Sequence, residues 1–207
     1  IYVHYGWSPQ AQSDISSLGV DNINGIYESS ESFWRVQDKY APHNAVTSTE
    51  NIRKIADRKG YRVTTDKEPV LNYVVAEVNL EEGKVANSVT IPYSYANTVE
   101  YEYDEDLKEY VRYSRGKKQV DWDTGKTVTT KNIIIEKVEN WTLNDGTNKG
   151  RQTIDNIKEV DGYYITNGKS IPITCTKTSR SSQAIYKDLE GNEIDVNDGK
   201  TFIQICP

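Results

Sequence analysis

The chain has 207 residues, 36% of them hydrophobic, with a mean hydropathy of -0.73 and a net charge of -6. That length holds one domain or two small ones, and 15 Tyr and 4 Trp argue against disorder. The acidic balance, with an isoelectric point of about 5.1, excludes a general nucleic-acid binder, which needs a basic face, and no run of apolar residues is long enough to read as a membrane-spanning helix.

Ile1 to Tyr5 reads as a buried strand, and so as a strand interior rather than a natural start, which leads us to expect a cut or processed N-terminus. Ser8-Pro9 has the pattern of a helix N-cap followed by proline at the first helical position, predicting a short helix to about Leu18 stopped by Gly19. Asp21 to Tyr27 is turn-rich, and Ser32 to Arg35 is a short aromatic segment. Thr47 or Ser48 can cap a second helix over Glu50 to Lys59. Its apolar residues Ile52, Ile55 and Ala56 share one face, and Gly60 ends it.

After Pro69 helical spacing gives way to alternation. Strands are predicted over Val85–Ile91, Thr98–Tyr103, Glu109–Ser114, Lys131–Trp141, Arg151–Ile157, Glu159–Thr166, Ser170–Thr176, Ala184–Lys187 and Thr201–Cys206. Turn signals such as Asn167-Gly168 and Asn197-Asp198-Gly199 separate them, supplying the left-handed residues that tight hairpins need. The expected fold class is therefore α+β. A small α/β portion over 1–75 precedes a predominantly antiparallel β domain over 76–207, sandwich- or barrel-like.

Candidate chemistry is sparse. Two Cys and two His have no metal-ligand spacing, and no nucleotide, zinc-protease or EF-hand motif occurs, so neither a metal nor a cofactor is expected. Cys175 and Cys206 read as buried thiols in strands or as a disulfide between neighbouring strands. His43 in Ala41-Pro42-His43-Asn44 can exchange a proton near neutral pH, with Asn44 to orient it or to donate to an oxyanion. The same residues can simply tie down a loop. Asp121 and Asp123 flank Trp122 before Thr124-Gly125, which fits acid–base work, calcium or an ordinary turn. Arg35, Arg112 and Arg115, interleaved with Trp34, Tyr110 and Tyr113, form the best recognition set. A guanidinium fork suits carboxylate or phosphate, and an aromatic face suits a sugar ring.

Several motifs occur in a specific order. They include His4-Tyr5-Gly6-Trp7-Ser8-Pro9, Phe33-Trp34-Arg35, Ala41-Pro42-His43-Asn44, Asp121-Trp122-Asp123-Thr124-Gly125, Asn132-Ile133-Ile134-Ile135, Asn197-Asp198-Gly199-Lys200-Thr201 and Ile205-Cys206-Pro207. In this order and spacing the chain resembles the YerB family of bacterial lipoproteins, whose domains have no assigned function. The resemblance implies an N-terminal α/β domain, a β-rich C-terminal domain, and a lipid anchor on the outer face of the cytoplasmic membrane. It also implies that a signal, a spacer and part of the first domain precede Ile1 in relatives. Cys175 stands where the family would be expected to carry a bulky aromatic.

The residues and the resemblance together predict a non-enzymatic extracytoplasmic module. It would bind an envelope polymer or an envelope protein through Arg35, His43, Asn44, Tyr113, Arg115 and Asp121. The alternatives are an envelope hydrolase or transferase using His43 with Asn44 and Asp121, and a structural or assembly protein.

Overall fold

The structure is a computed structural model and describes residues 1–207, which separate into two compact units. The first comprises Ile1–Glu68 with the short segment Asn144–Asn148, the second Pro69–Leu143 with Lys149–Pro207.

In the first unit, strand β1 (Tyr2–His4) leads into helix α1 (Pro9–Ser17) and then into strand β2 (Asn22–Asn24), which runs parallel to β1. Ser8 caps α1 by accepting the Ala11 N–H at 3.1 Å, and Pro9 occupies the position where a missing N–H costs nothing. Strands β3 (Phe33–Arg35) and β4 (Ala45–Thr47) form an antiparallel pair, followed by helix α2 (Thr49–Arg58), capped by Ser48. The apolar face of α2 packs Ile52 and Ile55 against Ile23, Phe33 and Val3. Two expectations change here. Residues 1–5 are half-exposed rather than buried, because β1 has a single partner strand, and residues 21–24, read as turn, contain that partner.

The second unit holds β5 (Asn72–Val74), β6 (Lys84–Val85), β7 (Ser88–Ser94), β8 (Asn97–Asp104), β9 (Glu109–Ser114), β10 (Lys117–Lys118), β11 (Thr129–Thr130), β12 (Asn132–Lys137), β13 (Glu139–Thr142), β14 (Gln152–Asp155), β15 (Glu159–Thr166), β16 (Lys169–Thr176), β17 (Ile185–Lys187), β18 (Asp195–Asn197) and β19 (Thr201–Cys206). The larger sheet has the order β17-β16-β15-β12-β19, with β12 and β19 parallel; the smaller has the order β10-β9-β8-β7. Both are open, so the β-rich unit is built as facing sheets and not as a closed barrel. Strand β5 pairs with β18, which places residues 72–74 in this unit although the sequence boundary left them in the first. The long strand expected over Lys131–Trp141 is two: after Lys137 the Val138 N–H is drawn to the Cys206 carbonyl at 2.8 Å, and β13 leaves to pair with β14.

Strand β12 is buried on both faces, which explains its uninterrupted Ile133-Ile134-Ile135 run. On one face Ile134 joins Tyr164, Ile173, Cys175, Tyr186 and Val196. On the other, Ile133, Ile135 and Cys206 meet Ile91, Val99, Tyr101 and Tyr110 of the smaller sheet. The two thiols therefore lie in different cores on opposite faces of one sheet, free and buried, and the alternative of a disulfide is set aside. Burial, then the carboxylates of Glu136 and Asp161, push the Cys175 thiol up to about 12. Burial, then the accepting Glu136 carboxylate at 2.7 Å, hold the Tyr186 phenol far above its usual range.

Polar groups in these cores are paired in two networks. Tyr164 donates to Asn132 Oδ1 at 3.0 Å. Asn132 Nδ2 donates to the Asn197 carbonyl at 2.8 Å and to Thr201 Oγ1 at 3.1 Å. Asn197 accepts the Val78 N–H at 2.7 Å and donates to the Val78 carbonyl and Thr166 Oγ1, each at 2.9 Å. Between the sheets, Tyr93 donates to Gln204 Oε1 at 2.6 Å and Gln204 Nε2 donates to Tyr101 at 2.7 Å.

Two outcomes are expected. Asn197→Ala strips partners from Val78 and Thr166 in a dry core and should destabilise the protein by about 3 kcal/mol in urea unfolding. Burial raises the Tyr93 phenol to about 12, so the native state holds its proton more tightly than the unfolded chain. Its contribution is complete below the ordinary phenol pKa and fades as pH rises towards 12, so urea midpoints should fall over that window and fall less steeply in Tyr93→Phe.

Candidate functional site

In the first unit Tyr5, Trp7 and Tyr27 follow the carboxyl ends of β1 and β2. In open α/β arrangements ligands favour this edge, because loops leave both strands there and a helix N-terminus points at it. The loop from β1 to α1 is His4-Tyr5-Gly6-Trp7-Ser8, and Gly6 takes a left-handed φ of +83° that lets it turn. The Gly6 N–H and the Ile26 N–H both donate to Asn24 Oδ1 at 3.1 Å, so one side-chain amide ties the loop after β1 to the turn after β2. Asn24 is buried, and its Nδ2 has no partner.

Four rings follow one another along this edge. Tyr2 and His4 stack with centroids 4.9 Å apart and planes at 15°. His4 and Trp7 are 5.3 Å apart at 33°, and Trp7 and Tyr27 are 5.9 Å apart at 58°. Tyr2 is 51% exposed and Tyr27 73%, so the run is open at both ends. His4 is an internal member held by its own bonds: Nδ1 lies 2.8 Å from the Gly6 carbonyl, to which it donates, and Nε2 lies 3.1 Å from Asn22 Oδ1.

A second arm starts one residue away. Tyr5 lies against Phe33, with centroids 6.3 Å apart, and the Arg35 guanidinium sits 5.3 Å from the Tyr5 ring centroid. Arg35 Nη1 donates to Asn44 Oδ1 at 2.5 Å, and Asn44 Nδ2 donates to the Val36 carbonyl at 3.2 Å. Asn44 thus orients the arginine, and the rest of the exposed fork is turned to solvent.

Of the residues expected from sequence to form a site, Arg35 and Asn44 are brought together. His43 lies beside them in the chain, exposed, its N–H donated to the Tyr40 carbonyl at 2.9 Å. The other three lie in the second unit. Tyr113 donates to the Glu102 carboxylate, which raises its pKa, and Lys118 approaches its ring at 5.9 Å. Arg115 occupies a left-handed turn position with φ of +52°. Asp121 Oδ1 accepts the Thr124 N–H at 2.8 Å and the Thr124 hydroxyl at 2.7 Å, which closes the Asp121–Gly125 turn. Tyr110 and Arg112 turn into the core, Tyr110 to the Ala86 carbonyl and Arg112 over Phe202. Tyr2, Tyr5, Trp7, Asn24 and Tyr27 were not singled out as site residues. Their one signal in the sequence is the density of aromatics in the first 35 positions.

Half-open pockets lie elsewhere. One of about 130 Å³ in the second unit is lined by Leu71, Tyr186 and Ile194 among others, and one of about 440 Å³ in the first by Arg53, Asp57, Tyr61 and Val63. Neither is lined by the ring run.

Comparison with known proteins gives consistent matches along the chain. The protein of unknown function (DUF3048) C-terminal domain matches residues 89–203, and the corresponding N-terminal domain matches residues 1–62. The Bacillus subtilis (strain 168) protein named "Putative lipoprotein YerB" is 32% identical over 213 residues, covering all of this chain. This chain spans 61% of that relative's length. The crystal structure of YerB protein from Bacillus subtilis superposes with a TM-score of 0.81 at 29% identity, covering 100% of this chain and 67% of that one.

The ring arrangement depends on Gly25. A Cβ there would meet Phe33 in hard overlap and come within 2.7 Å of Tyr5 Cδ2. Gly25→Ala should cost about 1–3 kcal/mol in urea unfolding and should weaken the near-ultraviolet circular dichroism of the displaced rings.

Proposed function

Because the chain belongs to the DUF3048 family, whose N- and C-terminal domains it carries in order, we propose that it is an extracytoplasmic binding module of the bacterial cell envelope, lipid-anchored in its full-length form. The lipoprotein name of the Bacillus subtilis relative supports the location. The observation that carries the binding reading is the run of Tyr2, His4, Trp7 and Tyr27, which starts on β1 and continues past the carboxyl ends of two parallel strands, with Arg35 oriented by Asn44 on the adjoining arm. Solvated aromatic faces are costly to leave uncovered and inexpensive to order, since each ring has only two torsions to fix. Such a surface is suited to recognition. Two groups that could do proton chemistry are placed for other work: the ring nitrogens of His4 face the Gly6 carbonyl and Asn22 Oδ1, and Asp121 closes a turn. The occupant is an envelope polymer or an envelope protein, and the ring surface favours the polymer.

Co-sedimentation with purified cell-wall polymer tests this reading. Wild-type protein should pellet with the polymer, and Tyr27→Ala, a change at a largely exposed ring, should lower the apparent affinity by about tenfold, equivalent to 1.4 kcal/mol. Failure of wild-type protein to pellet would overturn the polymer assignment.

A further inference from the structure

Resting on the binding reading above, we propose that the ring run is a subsite for an acidic glycan, with pyranose rings stacked on Trp7 and Tyr27 and a carboxylate of the sugar taken by Arg35. Three features of the edge lead to this class.

The first is the shape of the run. Only successive members of the run touch, at 15°, 33° and 58° along Tyr2, His4, Trp7 and Tyr27, so the rings make an open fan and not a box closed on one point. A quaternary ammonium is held by rings converging around one charge. A fan offers separate faces in succession, as a chain of rings requires. The C–H face of a pyranose is apolar and flat enough to lie on an aromatic face, and its hydroxyl edge stays in water, as does the exposed hydroxyl end of Tyr27.

The second is the charge at the edge. Arg35 lies over Tyr5, and Asn44 fixes one of its nitrogens at 2.5 Å, so the remaining donors present a pre-oriented fork. A cation in this position disfavours a cationic ligand and selects a planar anion. Nucleic acid would also supply rings and anions, and the polyphosphate arm of the test separates simple charge from that class.

The third is the buried amide. Asn24 is 6% exposed, and its Oδ1 is occupied by the Gly6 and Ile26 N–H groups, which leaves Nδ2 as an unused donor between the segments that carry Trp7 and Tyr27. An uncompensated donor at this depth is uncommon in a finished core. It leaves one polar demand, met by no protein group, at the junction of the two loops that carry Trp7 and Tyr27.

The test is calorimetric titration of the whole chain, with tryptophan fluorescence in parallel, against three probes. These are a tetramer of galacturonic acid, chitotetraose as a neutral glycan, and inorganic polyphosphate as an anion without sugar rings. The tetragalacturonate should bind at least about tenfold more tightly than chitotetraose, and polyphosphate should not bind. Arg35→Gln should erase the difference between the two sugars while leaving chitotetraose binding intact. Tyr27→Ala should weaken both sugars, and Trp7→Phe should remove most of the fluorescence change while keeping the fold. Equal binding of the two sugars, or no effect of Arg35→Gln, overturns the acidic assignment. Polyphosphate binding as tight as the sugar reduces the edge to simple charge and also overturns it. If cell-wall polymer pellets the protein but neither oligosaccharide binds, the glycan subsite is wrong and the envelope-binding reading stands. If the polymer also fails, both fall.

Discussion

The second unit is held in register by a polar constraint set among apolar side chains. Asn132, Tyr164 and Asn197 are buried, and each satisfies a group that no water can reach. The bonds join β12, β15 and β18 to the segment around Val78. Apolar burial alone would tolerate several strand offsets, but this cluster tolerates one. A slip of β12 by a single residue would turn Asn132 towards Ile91 and Val99 and take from the Tyr164 hydroxyl its acceptor and from the Asn197 carbonyl its donor. The cluster fixes β12 against β15, and through Thr201 it fixes the parallel partner β19 as well. The second core on the far face of β12 then follows, because the alternation of Ile133 and Ile135 is settled.

The same logic explains how much could be seen in the sequence. The strands over Glu109–Ser114 and Glu159–Thr166, both antiparallel to their neighbours, and the parallel edge strand Thr201–Cys206 were legible because they alternate and lie next to turn residues with left-handed geometry, such as Arg115, Asn167 and Gly199. Both helices were legible through their serine caps and terminal glycines. What escaped were elements too short to alternate. Strand β2 is Asn22-Ile23-Asn24, and its one apolar residue is all that period two can show. The register Tyr2↔Asn22 that assembles the ring run comes from pairing across 20 residues of loop and helix, which no local pattern encodes. Tyr110 and Arg112 illustrate the opposite difficulty. Their composition suggested a surface, but their strand parity turns them inward, where the guanidinium of Arg112 lies over Phe202.

The two units also use aromatic residues differently. In the second, tyrosine hydroxyls are anchored inside: Tyr101 to Gln204, Tyr110 to a backbone carbonyl, Tyr164 and Tyr186 to side-chain acceptors. Burial raises the pKa of each of these phenols. In the first unit the rings lean on one another and meet water at their edges. A chain this polar can support a core because tyrosine supplies bulk with one hydrogen-bonding atom to satisfy. Around the small parallel pair the same residue type is left with its rings against one another and its edges in solvent.

The placement of the two thiols has a further consequence. Cys175 and Cys206 look into separate cores from opposite sides of one sheet, and burial suppresses ionisation of both. Neither can be trapped by the other, so the native state is indifferent to the oxidising or reducing character of its surroundings. Each sulfur instead becomes a clock for its own face. Alkylation of Cys175 reports the opening of the layer under Tyr186, and alkylation of Cys206 reports separation of the two sheets, so a pair of labelling rates in one sample would tell which side of β12 gives way first.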